Sequence, residues 1–169
     1  ATADIADLSV FGIGVANNGD GTDGMEYSLD SVSASSGDDI LIVRSEEAMS
    51  AYFADCYGEF EIVLVGSSAI SQNGDDAIEL YEQGVAIETF GDPDVSGTGE
   101  AWDYVDSWAY KVAGVWTYGG VDCTDGSTTS ADSNCPYPVC GSVEPPADVL
   151  GCTDASANNF NADANLDDG

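Results

Sequence analysis

The longest uninterrupted aliphatic runs in this chain are Ile40-Leu-Ile-Val43 and Ile62-Val-Leu-Val65, and clusters of Gly, Asp, Asn and Ser stand between such runs. Runs this short fall far below the roughly 20 residues of a membrane-spanning helix and suit short strands. The punctuating residues tolerate left-handed backbone or hydrogen-bond to their own main chain, so they turn the chain sharply. Many short strands joined by Gly-rich turns, with one helical interlude, argue for a mainly β fold. The expected architecture is an immunoglobulin-like β-sandwich with one short helix, plus a small cysteine-bearing acidic tail unit.

Residues 8–15 alternate larger and smaller side chains and read as a first strand, and residues 25–29 as a short second one. The run at residues 40–43 suits a strand buried on both faces. Ser45 is placed to cap a helix, Glu46 and Glu47 stand where the helix dipole favours anions, and Met49, Tyr52 and Phe53 share one face that should pack on the sheet. Residues 59–65 read as the next strand. Asn73-Gly-Asp-Asp76 turns into residues 77–81, and Glu82-Gln83-Gly84 connects these tightly to residues 85–90 as a β-hairpin. The aromatic block at residues 102–110 and the segment 115–118 should close one end of the domain. Composition changes after Tyr118, which sets a first domain at 1–118, a cysteine-containing extension with the stiff Val143-Glu-Pro-Pro-Ala147 linker at 119–150, and an Asp/Asn-alternating unit at 151–169.

Charge narrows the function. Against 32 acidic residues stand only Arg44 and Lys111, a formal charge of −30. Such a surface repels phosphate, which argues against nucleic acid as a partner, and attracts cations, Ca²⁺ above all. The same charge would also serve simply to keep the module soluble in a salty medium. With no histidine at all, the commonest general base, the Ser–His and Cys–His nucleophile pairs and every imidazole metal site are removed. A carboxylate pair acting on glycosides is left open by counting alone, but nothing else in the chain supports it. The chain therefore reads as non-catalytic. Its five cysteines lack zinc spacing and read as disulfides, which places it in an oxidising compartment, extracellular or at the cell surface.

Three patterns are candidate calcium ligands. Asp163-Ala-Asn165-Leu-Asp167 sets oxygens at alternate positions, and Asp154 and Asn161 are able to complete a shell around a hard cation that takes six to eight oxygens. Asp92-Pro-Asp94-Val-Ser96-Gly97, with Asp103 eleven positions after Asp92, matches the start and end of an EF-hand-type loop. Asn17-Asn-Gly-Asp20-Gly-Thr-Asp23-Gly24 is a looser version. The plain alternatives are a solvated acidic tail and Gly-rich connections that close the sandwich. Trp102, Tyr104, Trp108, Tyr110 and Trp116 are either a sugar-binding platform or core. An extended stretch would put the first four on one strand face, which favours burial.

Asp7-Leu-Ser-Val-Phe-Gly-Ile-Gly-Val-Ala-Asn-Asn-Gly19, Asn73-Gly-Asp-Asp-Ala-Ile-Glu-Leu-Tyr81, Phe90-Gly-Asp92, Gly97-Thr-Gly99 and the aromatic block together resemble bacterial lamin-tail-like domains over about residues 4–118. The resemblance implies a non-catalytic immunoglobulin-like sandwich of secreted proteins, often attached to extracellular nucleases or phosphatases. It also implies an opening strand upstream of Ala1, or one supplied by another chain. Gly151-Cys-Thr-Asp154, Ala157-Asn-Asn-Phe160 and Asp167-Asp-Gly169 look like the thrombospondin type 3-like repeat of secreted Bacteroidetes proteins, which closes with Ser-Cys, so the partner of Cys152 is expected beyond Gly169. Cys56, Cys123, Cys135 and Cys140 then allow three pairings; the expectation is Cys56 tied to the 123–140 segment and the other two joined locally. The function that follows is a structural or adhesive module of a surface adhesin or extracellular fibre. Its partners would be copies of itself through strand exchange, with residues 119–146 as donor, other surface proteins, or glycans. An accessory domain of a secreted nuclease or phosphatase and a carbohydrate-binding module are the alternatives.

Overall fold

A computed structural model describes residues 1–68 and 70–138. In chain order the strands are β1 (Phe11–Ala16), β2 (Tyr27–Ser28), β3 (Ile40–Val43), β4 (Ile62–Val65), β5 (Ala77–Glu82), β6 (Val85–Phe90), β7 (Ala109–Val112) and β8 (Val115–Tyr118), with one α-helix, α1 (Glu46–Phe53). The fold is mainly β with a single helix among the described residues. An antiparallel sheet runs β2-β1-β5-β6, β3 and β4 form a parallel pair, and β7 and β8 form a hairpin.

The two hairpins have one local cause. Gln83 and Gly84 join β5 to β6 with φ of 50° and 81°, and Ala113 and Gly114 join β7 to β8 with φ of 46° and 79°. Two positive φ values in a two-residue loop are the signature of a type I′ turn, whose twist matches the flanking strands. The parallel pair has a different requirement. Parallel neighbours need a long crossover, and here α1 and a 3-10 turn at Ala54–Glu59 supply it. The helix starts as expected, with Ser45 Oγ accepting the Ala48 N–H at 3.2 Å and Glu46 and Glu47 in the first turn.

Leu8, Leu29, Ala34 and Leu64 form the buried centre, with Ile5, Phe11, Tyr27, Ile40, Ile42 and Ile62 packed against them. These side chains come from β1, β2 and their flanks on one side and from β3 and β4 on the other, which gives a sandwich-like layering. Of residues 40–43 only Val43 is fully buried, so this strand is half-covered rather than buried on both faces.

Several boundaries move for local reasons. Residues 8–10 wind into a 3-10 turn because the Asp7 carboxylate accepts the Ser9 N–H (2.9 Å), so β1 begins at Phe11. The 3-10 turn after α1 delays β4 to Ile62. Residues 119–138 pack onto the body of the domain. Asp122 and Thr124 donate backbone N–H groups to the Val105 and Asp106 carbonyls (both 2.9 Å), and the Trp108 indole N–H donates to the Cys135 carbonyl at 2.7 Å. The linker at 143–147, Cys140, Cys152 and the candidate ligands Asp154, Asn161, Asp163, Asn165 and Asp167 lie outside the described residues. Among the described residues no helix is long and apolar enough to cross a membrane.

Candidate functional site

The densest polar constellation gathers three loops beside the β1-β5-β6 sheet. At its centre are Asp75 and Asp76, 9% and 1% exposed. Asp76 leads directly into β5, whose register against β1 brings Ala77 opposite Ala16. The loop after β1 is thereby delivered to the Asp76 side chain. Asp76 Oδ1 accepts the Asn18 N–H at 2.8 Å, and Oδ2 accepts the Asn73 N–H at 3.0 Å. With its amide turned so that the nitrogen faces the two acids, the Asn73 side chain donates to Asp76 Oδ2 (2.8 Å) and to Asp75 Oδ1 (2.5 Å).

Asp75 recruits the third loop. Its Oδ2 accepts the Ser96 hydroxyl at 2.9 Å and the Thr98 hydroxyl at 2.8 Å, and its main-chain carbonyl accepts the Gly97 N–H at 2.8 Å. The loops touch so closely that two glycines are required. A Cβ on Gly19, which has φ of +76°, would come within 2.5 Å of the Ser96 nitrogen, and one on Gly97 would meet the Trp102 ring at 2.6 Å. Tyr104 seals the hub: its hydroxyl donates to the Asp76 carbonyl at 3.0 Å. Burial, and then the neighbouring Asp76 and Asp75 charges, push its pKa well above the usual phenol value. Buried carboxylates with no cation beside them persist only when donors surround them, and here main-chain N–H groups, an amide and two hydroxyls do so.

The candidate ligands of the 92–103 loop have local partners. Asp92 Oδ1 accepts the Asp94 N–H at 3.0 Å, closing an Asx turn. Asp103 accepts the Gly99 N–H at 2.8 Å and the Val105 N–H at 3.2 Å through its two oxygens. Pro93 ties this loop to the one after β1, its carbonyl accepting the Gly21 N–H at 2.9 Å. Among the described residues no group of three or more His, Cys, Asp or Glu converges in a way that would hold a metal ion.

The aromatic block does not lie on one strand face. Residues 102–108 are turns and irregular backbone, with Asp106 at φ of 42°, and only from Ala109 is the chain a strand. The rings therefore divide into two groups. Trp102, Tyr104 and Trp116 surround Phe90 with centroids 6.0, 5.3 and 4.8 Å away, while Trp108 and Tyr110 pack on Tyr137 at 6.0 and 5.9 Å. Cys123 and Cys135 form a disulfide with Cα atoms 5.7 Å apart, a local pair whose members the sequence left open. Cys56 is also disulfide-bonded.

β6 is an outer strand of the four-stranded sheet, paired on one side with β5, and Val85 and Ile87 on it are 66% and 51% exposed. A register shift in its pairing with β5 between Leu80 and Tyr81 bends this edge, a device that weakens edge-to-edge pairing.

The importance of Asp75 and Asp76 is not apparent from their place in a turn. The available signal was two adjacent acids entering a buried strand, where an unpartnered charge is costly. Tyr137, the meeting point of one ring group, stood in a stretch whose composition suggested an extension. No protein-family model, curated protein or solved structure matches the chain.

Proposed function

We propose that this chain is a non-catalytic extracellular structural or adhesive module, built on a lamin-tail-like sandwich and carried in a surface adhesin or fibre. The observation that supports this reading is the use made of its most buried acids. Asp75 and Asp76 spend their oxygens joining three loops, and buried Glu79 accepts the Tyr81 hydroxyl at 2.9 Å, so the polar core serves as cement. A general base or nucleophile needs a free lone pair aimed at a substrate position. The Cys123–Cys135 disulfide fits an oxidising compartment.

The proposed route to assembly is calcium bridging of an acidic surface, with Asp154, Asn161, Asp163, Asn165 and Asp167 as ligands, and strand exchange with a neighbouring copy. The described part of the 119–146 stretch is engaged with its own domain, which leaves residues 139–146 as the strand donor. The test is electron microscopy and sedimentation velocity of the purified chain in calcium and in sodium chloride of equal ionic strength. Filaments or defined multimers, with a higher melting temperature in calcium, are expected. A monomer in both salts, with equal melting temperatures, sinks the assembly reading. Hydrolysis of phosphodiester, phosphomonoester or glycoside probes by the pure chain sinks the non-catalytic one.

A further inference from the structure

Between α1 and the segment after β8 lies an open cavity of about 400 Å³, lined chiefly by Met49, Tyr52, Phe53, Trp108 and Tyr137, with Ser107 and Thr124 supplying its hydroxyl groups. That volume is within the range of small-molecule sites. Its aromatic rings are steeply inclined to one another: Tyr52 to Phe53 at 68°, Phe53 to Tyr137 at 56° and Trp108 to Tyr137 at 82°, with centroids 5.8–6.0 Å apart. Rings set in this way make walls rather than a stack.

Two facts restrict the occupant. The chain carries −30, so an anion is repelled before it reaches the cavity. Among the described residues no charged side chain lines the cavity, so a compact ion such as Na⁺ or Ca²⁺ would have to shed its water with no carboxylate to replace it. A large, weakly hydrated organic cation satisfies both conditions, since it gains from the acidic field and from the negative faces of aromatic rings. The other ring group illustrates the chemistry within the same molecule. There Lys111 Nζ lies 5.2 Å from the centre of the Trp116 ring. The group around Tyr137 has no resident cation, because the only other one, Arg44, donates to Ser71 Oγ at 2.9 Å.

We infer that the cavity between α1 and the 119–138 segment is a binding site for a small methylated ammonium cation of the choline type, held by the Tyr52, Phe53, Trp108 and Tyr137 rings.

The test uses the whole chain. Tetramethylammonium, choline and the neutral choline isostere 3,3-dimethylbutan-1-ol are titrated in turn, with sodium chloride matching ionic strength, while the three Trp indole N–H resonances are followed by NMR. A saturable shift at Trp108 is expected for both ammonium ions, with Trp102 and Trp116 serving as internal controls. The isostere is expected to bind about tenfold more weakly or worse, as loss of the cation–ring attraction implies. Tyr52→Leu and Tyr137→Leu keep the cavity apolar and should weaken ammonium binding severalfold while leaving the isostere unchanged. Equal binding of the isostere, a hexose that binds where the ammonium ions do not, or no saturable shift at Trp108 would each overturn the proposal. So would co-sedimentation with phosphatidylcholine vesicles without capture of free choline. The comparison of ligands on the unaltered chain decides the matter even if both variants unfold.

Discussion

Around Asp75 and Asp76, three loops are joined by hydrogen bonds to two carboxylates; between α1 and residues 119–138, the joining is done by aromatic rings, and a disulfide closes the second segment on itself. The two regions order comparable lengths of irregular chain by different physics. The carboxylate hub is directional, because each oxygen is aimed at a particular N–H or hydroxyl, and removing one acceptor leaves its donors unpaired. The aromatic clamp is adaptable, because ring contacts survive small rotations. It depends instead on the disulfide to limit the freedom of the segment that carries Tyr137. A hub of the first kind fixes geometry, and a clamp of the second kind can leave a cavity.

The comparison breaks most severely at Asp76. Asp76→Ala removes a carboxylate that is itself 1% exposed and leaves the part-buried Asn18 and Asn73 N–H bonds without their acceptor. At about 1–3 kcal/mol for each stranded donor, the loss should be about 4 kcal/mol, a large fraction of a small domain's stability. Urea denaturation measures it, and a loss below about 1 kcal/mol would show that the hub is not a lock.

The clamp should fail more gently. Opening the Cys123–Cys135 link, which spans a separation of 12 residues, removes about 3 kcal/mol on the loop-entropy account. Cys123→Ser with Cys135→Ser should speed proteolysis within residues 119–138 before it affects the hub. Equal acceleration of cleavage in the loops at residues 17–24 and 92–103 would mean that the two regions are one cooperative unit.

The smallest effect sharpens the contrast through pH. Tyr104 in the hub has a pKa raised above its model-compound value of 10.0, chiefly by burial and then by Asp76 and Asp75. The folded chain therefore keeps a proton that the unfolded chain gives up. The stability this contributes is fully present below about pH 10 and is lost as pH rises toward the folded pKa. Tyr104→Phe should cost about 1 kcal/mol near neutrality, through loss of the hydrogen bond to the Asp76 carbonyl, and should flatten the alkaline decline. Because Tyr137 is also shifted upward, some decline should persist. An unchanged slope above pH 10 would place the coupling elsewhere.

Much of the framework was decided within a few residues of itself and was therefore legible. The turn at Gln83-Gly84, the Ser45 cap with its two glutamates, and the short runs that became β3, β4, β5 and β6 depend on backbone preference, capping and side-chain period, all local quantities. A local disulfide within residues 123–140 was expected on the same ground, but which cysteines form it was left open and was settled by the fold, which joins Cys123 to Cys135. The parallel pairing of β3 with β4 was not legible, because an apolar run of four suits several partners and only the crossover through α1 selects one. The division of Trp102, Tyr104, Trp108 and Tyr110 into two groups followed from a bend at residues 102–108, where turn and strand compete on nearly equal terms. The role of Asp76 was settled over a separation of 58 residues, in its bond to Asn18. A carboxylate in a turn is at home in water, and only the packing of two further loops over it converts it from a solvated charge into a buried acceptor whose donors must be supplied.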